Sequence, residues 1–183
     1  ALDKANNRNI VVVNLSWQDP AKTENKRRFF YSYFQEVGAD NIAFIEEQTP
    51  NEQASEEFEK AGLVYLPGGD TKTLIQNINN KGLVSHLQSF KGVISGNSAG
   101  TYAMCPDYLR IGRGTPEIIP SLGFVDFWTK AHYEPKFDED LIQLSKGRTI
   151  YALENESAIV VDKDISFIGN IWRFSEGDKT KIN

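Results

Sequence analysis

The stretch Val93-Ile94-Ser95-Gly96-Asn97-Ser98-Ala99-Gly100-Thr101 limits the folds open to this chain more than any other. An apolar, β-branched run leads into two glycines that bracket a serine, and small residues follow. The spacing predicts a buried strand, a sharp turn and then a helix. Gly96-Asn97-Ser98-Ala99-Gly100 fits the G-x-S-x-G elbow, in which a serine at the tip of a strained strand-to-helix turn projects its hydroxyl away from the backbone. Side chains at Gly96 and Gly100 would collide with neighbouring chain. The start of the following helix would face any negative charge developing on a bound molecule. A pentapeptide of this kind also occurs without chemistry, so its meaning depends on what stands around it.

An elbow needs a parallel sheet, and the first half of the chain supplies the pattern. Asn9–Leu15, Asn41–Ile45, Leu63–Leu66 and Gly92–Ser95 read as strands. Between them, Lys22–Val37 carries Phe29, Phe30, Tyr33, Phe34 and Val37 at helical spacing, and Gly38 stops it. Thr49–Ala61 reads as a helix capped by Thr49 with Pro50 in its first turn. Further helices are expected over Thr71–Ile78 and Gly82–Phe90. This alternation means βαβ units and a mostly parallel sheet. In the second half, Arg110–Pro120 reads as loop and Gly123–Trp128 as a strand leading to the turn that holds His132. Asp138–Leu144 reads as a short helix. Ile150–Leu153, Ala158–Val161, Ile165–Ile168 and Ile171–Phe174 read as short strands with tight turns such as Asp162-Lys163-Asp164.

A length of 183 residues suits a single domain, expected over 1–183, and no repeat or linker divides it. A net charge of −5 argues against nucleic acid as a partner. No apolar run approaches the ~18 residues of a membrane span, and neither a membrane span nor a signal peptide is expected in the segment read. The single cysteine, Cys105, excludes an internal disulfide and a four-cysteine zinc site. These features fit a reducing cytoplasm.

A serine needs a base, and histidine is the usual one. The chain has two, His86 and His132. His86 sits among Leu83, Val84 and Leu87 in a helix and reads as structural. His132 follows a strand, in Thr129-Lys130-Ala131-His132-Tyr133-Glu134-Pro135, at the sheet edge where open α/β folds bind ligands. The acid that would orient it could be Glu134, Asp138, Glu139, Asp140, Glu154 or Glu156. Of these, Glu154 and Glu156 follow the strand Thr149–Leu153 and would reach the same edge if that strand is parallel. An oxyanion needs backbone donors. Ala99, after the serine, and the loop Pro67-Gly68-Gly69-Asp70-Thr71 are the sources, unless that loop is only a tight connection capped by Asp70.

Leu66-Pro67-Gly68-Gly69-Asp70-Thr71-x-x-Leu74, the Gly96–Gly100 elbow and His132, approached through Leu122-Gly123-Phe124-Val125-Asp126-Phe127, resemble the peptidase E family in order and spacing over roughly residues 9–175. That family includes aspartyl dipeptidases and has cyanophycinases as relatives. The resemblance implies a three-layer αβα sandwich of the class I glutamine amidotransferase-like, flavodoxin-like kind. It also implies a serine peptidase with Ser98 as nucleophile, His132 as base and Glu154 near the third position. Gly69 and Ala99 would form the oxyanion hole, with Gly68 and Asp70 beside the substrate, and no metal or organic cofactor is needed.

Several positions depart from the family pattern. Chains of this family begin with an extra strand, which is expected to be missing ahead of the segment that opens here. An acidic residue that some members carry after the elbow helix has no counterpart in Leu109–Gly114. Where aspartyl dipeptidases hold the substrate's aspartate with a basic residue, Lys136, Lys146 and Arg148 are what the chain offers, and Lys136 is the candidate.

The order Ser, His, acid separates the chain from α/β-hydrolases, which run Ser, acid, His. A serine at the elbow separates it from the related amidotransferases, because Cys105 lies two helical turns further on. A hydrolase of short peptides is the expectation, with a small peptide as partner and, at most, a second copy of the chain in a homodimer. A non-catalytic binding module on the same scaffold and a cyanophycinase-like hydrolase are the alternatives.

Overall fold

Four consecutive β-branched, apolar positions, Ile10-Val11-Val12-Val13, follow Asn9 to form the strand β1 (Asn9–Val13), buried on both faces from Ile10 onward. The computed structural model describes residues 1–112 and 116–183. Contacts gather into two compact units, Ala1–Ala103 and Met104–Asn183.

In the first unit, a 3₁₀ turn at Leu2–Lys4 precedes β1. Helix α1 (Pro20–Glu36) starts where the Asp19 carboxylate accepts from Ala21 N at 2.9 Å, with proline in the first turn. It ends at Gly38, whose φ of +84° suits glycine. Phe30 and Phe34 of α1 pack on Ile10, Val12 and Leu63, and each such buried ring contributes about 2–3 kcal/mol. Then follow β2 (Asn41–Ile45), α2 (Asn51–Lys60), β3 (Leu63–Leu66), α3 (Thr71–Asn80), α4 (Val84–Ser89), β4 (Val93–Gly96) and α5 (Ala99–Met104). The four strands form one sheet in the order β2-β1-β3-β4, every pair parallel. Leu66 pairs with Gly96, which sets the end of β3 beside the elbow.

Thr49 does not cap α2. Its hydroxyl accepts from Glu46 N at 2.9 Å, closing the turn out of β2, and Pro50 occupies the cap position.

The second unit is built from antiparallel ribbons around one parallel pair. Its elements are β5 (Asp107–Arg110), β6 (Glu117–Pro120), β7 (Trp128–Lys130), α6 (Asp138–Leu144), β8 (Thr149–Leu153), β9 (Ala158–Val161), β10 (Ile165–Ile168), β11 (Ile171–Ser175) and β12 (Asp178–Lys181). The main sheet runs β12-β11-β8-β7, and β7 and β8 are parallel. Leu109, Tyr133, Leu141, Ile150, Ala152 and Phe174 form its core.

Two sequence expectations fail here. Arg110–Pro120, read as loop, contributes to a hairpin in which β5 and β6 pair antiparallel; Arg113, Gly114 and Thr115 lie outside the described residues. Gly123–Trp128, read as a strand, is mostly bends. Phe124 N and Val125 N both donate to Met104 O, so no ladder forms until Trp128.

Cys105 is buried and lies 3.3 Å from the Thr129 hydroxyl. Burial is the main cause that pushes its thiol up to about 11. A raised folded value contributes stability that is complete below about pH 9 and is lost as pH rises towards 11. We expect Cys105 to resist alkylation by iodoacetamide in the native chain at pH 8 and to react fully in urea. Fast native labelling would contradict its burial.

Candidate active site

In the first unit the elbow is built as its sequence requires. Ser98 has φ +48°, a left-handed conformation that costs a non-glycine residue about 1–2 kcal/mol. Such strain gathers at functional turns. The turn is held by Asn97 N donating to Leu66 O at 3.0 Å and by Gly100 N donating to Pro67 O at 3.1 Å. Thr101 Oγ1 donates to Gly96 O at 3.0 Å. A Cβ on Gly100 would overlap the Leu66 carbonyl oxygen and lie 2.6 Å from its carbonyl carbon, so α5 sits directly on the end of β3.

The Gly68-Gly69 loop lies against this turn. A Cβ on Gly68 would stand 3.5 Å from Ser98 Cβ and 3.4 Å from Asn97 Oδ1. Gly69 has φ +142°, and a Cβ there would come within 2.5 Å of Ser16 Cβ and 3.0 Å of the Trp17 ring. Only glycine fits at this position. The two candidate oxyanion donors, Gly69 and Ala99, therefore belong to the two segments that flank Ser98. Asp70 is structural, because its carboxylate accepts from Thr73 N at 2.8 Å and caps α3, and its own N–H donates to Ser16 O at 3.1 Å. The loop is thus capped by Asp70 at its far end while its Gly68 lies against Ser98.

His86 is a structural residue. Its Nε2 lies 2.8 Å from Ser55 Oγ, and its ring stacks on Phe58. The Ser55 hydroxyl also donates to Asn51 O at 3.0 Å, so the imidazole is the donor in the first bond.

In the second unit, His132 follows β7 with φ +52° and is exposed. Lys130 pairs with Ala152, so β7 and β8 end at the same edge and carry the His132 turn and the Glu154–Glu156 turn there. Tyr133 N donates to Leu153 O at 2.9 Å and ties the two turns together.

The sequence points to Glu154 as the residue orienting His132. In the structure His132 Nδ1 lies 2.8 Å from Asn155 Oδ1, one position further on. Glu154 Oε1 accepts from the Trp172 indole at 3.1 Å. Glu156 stands at the close of the turn with φ +64° and is exposed. Asn155 escapes a sequence reading because the usual partner of a catalytic histidine is a carboxylate, and two carboxylates flank it.

Lys136, the candidate for an acidic substrate, is exposed and forms an ion pair with Glu134 at 2.7 Å. A second residue that the sequence did not single out is Lys130, only 9% exposed. Its ammonium donates to Ala131 O at 3.0 Å and lies 4.0 Å from the centre of the Phe137 ring, so it braces the peptide that leads into His132. Desolvation pulls its pKa down; Glu134 opposes this and Lys136 adds to it. A lone lysine in a three-residue strand gives no sequence signal of such burial.

Among the described residues, no group of three or more His, Cys, Asp or Glu could hold a metal ion. No helix among them is long and apolar enough to cross a membrane.

Two solved structures share the fold. One is a protein from Listeria monocytogenes described as a candidate peptidase E, with TM-score 0.66 and 17% identity, covering 91% of this chain and 90% of that one. The other is a peptidase from an acI-B1 Actinobacterium, with TM-score 0.73 and 15% identity, covering 95% of this chain and 79% of that one. At such identities the likeness concerns the fold: a mixed α/β architecture with a mostly parallel sheet flanked by helices. No curated protein matches the sequence. The sequence profile of peptidase family S51 matches residues 21–168, from α1 through the elbow and the His132 turn to β10, and the chain therefore belongs to peptidase family S51.

Proposed function

We propose that the chain is a serine-type peptidase of short peptides, with Ser98 as nucleophile, His132 as general base, and the Gly69 and Ala99 N–H groups as oxyanion donors. The observation that carries this reading is the strained elbow. A family S51 chain holds Ser98 at φ +48° with the Gly68-Gly69 loop against its Cβ. Strain at that position is the mark of a serine elbow, and the two adjoining segments carry backbone donors of the kind an acyl-transfer site uses.

The chemistry is acyl transfer to water. His132 takes the Ser98 proton as Oγ attacks the peptide carbonyl, and the tetrahedral oxyanion is held by the two N–H groups. His132 then protonates the leaving amine as the C–N bond breaks. Water, deprotonated by the same imidazole, attacks the acyl-enzyme and releases the acid. Loss of one oxyanion donor in such sites costs about 2.7–4 kcal/mol of transition-state stabilisation. The chain's own residues suffice for these steps.

Dipeptides with N-terminal aspartate are the substrates we put first. The test is a panel of aspartyl, leucyl and arginyl p-nitroanilides with Ser98→Ala beside the wild type. Ser98-dependent release confined to the aspartyl compound supports the full reading. Release from the other compounds alone keeps the peptidase and rejects the aspartyl preference. Turnover that survives Ser98→Ala rejects the nucleophile.

A further inference from the structure

We propose that the side-chain amide of Asn155, not a carboxylate, sets the tautomer of His132. The proposal rests on the peptidase reading only for its consequence in catalysis; the geometry stands by itself. Both partners sit on turns that follow parallel, register-paired strands, Thr129 with Tyr151 and Lys130 with Ala152. Each turn passes through the left-handed region, at His132 (φ +52°) and at Glu156 (φ +64°), and the Tyr133–Leu153 bond of 2.9 Å joins them. The imidazole and the amide meet at 2.8 Å.

The direction of that bond follows from chemistry. An amide oxygen has no proton to give, so Nδ1 carries the hydrogen and donates. The lone pair then resides on Nε2, the nitrogen that a base working on Ser98 would use. Free imidazole prefers the opposite tautomer, so the amide selects against an intrinsic preference.

Glu154 is engaged at the foot of the same turn. Its N–H donates to Asn170 O at 3.2 Å, and its Oε1 accepts from Trp172 Nε1 at 3.1 Å. The Lys179 ammonium lies 4.3 Å above the Trp172 ring and 2.7 Å from Asp138 Oδ2. Asp138 in turn accepts from the hydroxyl of Tyr133, the residue after His132, at 2.5 Å. The carboxylate thus anchors a network that fixes both turns, and the amide meets the ring.

The consequence is electrostatic. A carboxylate on Nδ1 favours the imidazolium and raises the pH below which the base is lost; an amide fixes orientation without that counter-charge. The charged residues that adjoin the two partners in sequence are Glu154 and Glu156 on the facing turn and the mutually paired Glu134 and Lys136 on the turn of His132. Asn155 is a positioning residue in this account, because it acts through His132.

The test is long-range ¹H–¹⁵N NMR of the imidazoles in the full chain at pH 8.5. His86→Gln assigns the second of the two histidines. The proposal expects His132 with its proton on Nδ1, a shift towards Nε2–H in Asn155→Ala, and no change in Glu154→Gln. In the anilide assay, Asn155→Ala should lower kcat about tenfold or more. Asn155→Asp should keep the Nδ1–H tautomer and move the acidic limb of the kcat/KM profile up by about one pH unit. An Nε2–H tautomer in the wild type overturns the proposal. So does a tautomer that responds to Glu154→Gln and ignores Asn155→Ala. If no Ser98-dependent turnover exists, the peptidase reading fails while the NMR result still decides the role of Asn155.

Discussion

Gly100→Ala lowers the melting temperature by about 10–15 °C and abolishes activity, the largest stability effect expected of any single methyl group in the first unit. The added Cβ would overlap the Leu66 carbonyl oxygen and press on the Leu66 carbonyl carbon at 2.6 Å and Cβ at 2.8 Å. These are backbone and near-backbone atoms of a buried strand, so no flexible side chain can yield. Relief requires α5 to lift from β3. That would stretch the Gly100–Pro67 bond of 3.1 Å and the Asn97–Leu66 bond of 3.0 Å, which together define the elbow. Overpacking with loss of two buried bonds costs about 3–5 kcal/mol, a large share of a typical total of about 5–15 kcal/mol. For a chain of this size each kcal/mol shifts the midpoint by about 2–4 °C. Gly82→Ala is the control. It also has positive φ, +66°, but nothing lies within 4 Å of its Cβ position. Only the backbone penalty of about 1 kcal/mol remains. Differential scanning fluorimetry of both variants separates steric from conformational cost, and equal losses would contradict the tight contact.

His132→Ala reduces kcat by about a thousandfold to ten-thousandfold while leaving the fold intact. The loss is the size of a general acid–base contribution. In the proposed mechanism it falls on both halves of the reaction, because one imidazole would act as base and acid in acylation and as base for water in deacylation. Stability is spared because the residue is exposed and stands on a turn after β7 rather than in the core. His132→Gly should be slightly more stable than His132→Ala, since glycine adopts φ +52° without strain. Single-turnover acylation with an activated ester reads the chemical step directly. Activity within about tenfold of wild type would remove His132 from the mechanism.

The parallel half was legible because its strands are apolar runs and its helices carry apolar residues at i, i+3 and i+4. Phe30 and Phe34 meet Ile10, Val12 and Leu63 as that spacing requires. The second unit was harder because its elements follow pairing more than pattern. β12, Asp178-Lys179-Thr180-Lys181, has no apolar period at all. It exists because β11 pairs with it and because the Lys179 ammonium covers the Trp172 ring. The Phe124–Phe127 run looks like a strand, yet its backbone bonds go to Met104.

The same contrast holds at the site. Residue type and spacing single out Ser98, the Gly68-Gly69 loop and His132 as candidates. Asn155 does not, because the turn after β8 breaks the alternation of the strand by passing through positive φ at Glu156. Which of residues 154, 155 and 156 meets the histidine is decided by that turn and by the Trp172 anchor on Glu154.

The measurement that bears most directly on the central claim is covalent capture of the nucleophile with an aryl fluorophosphonate, read by peptide mass spectrometry. The account predicts a single phosphonyl adduct on Ser98, absent in Ser98→Ala and formed far more slowly in His132→Ala. An adduct on another residue, or no adduct from a folded chain that still turns over peptide substrates, would contradict it.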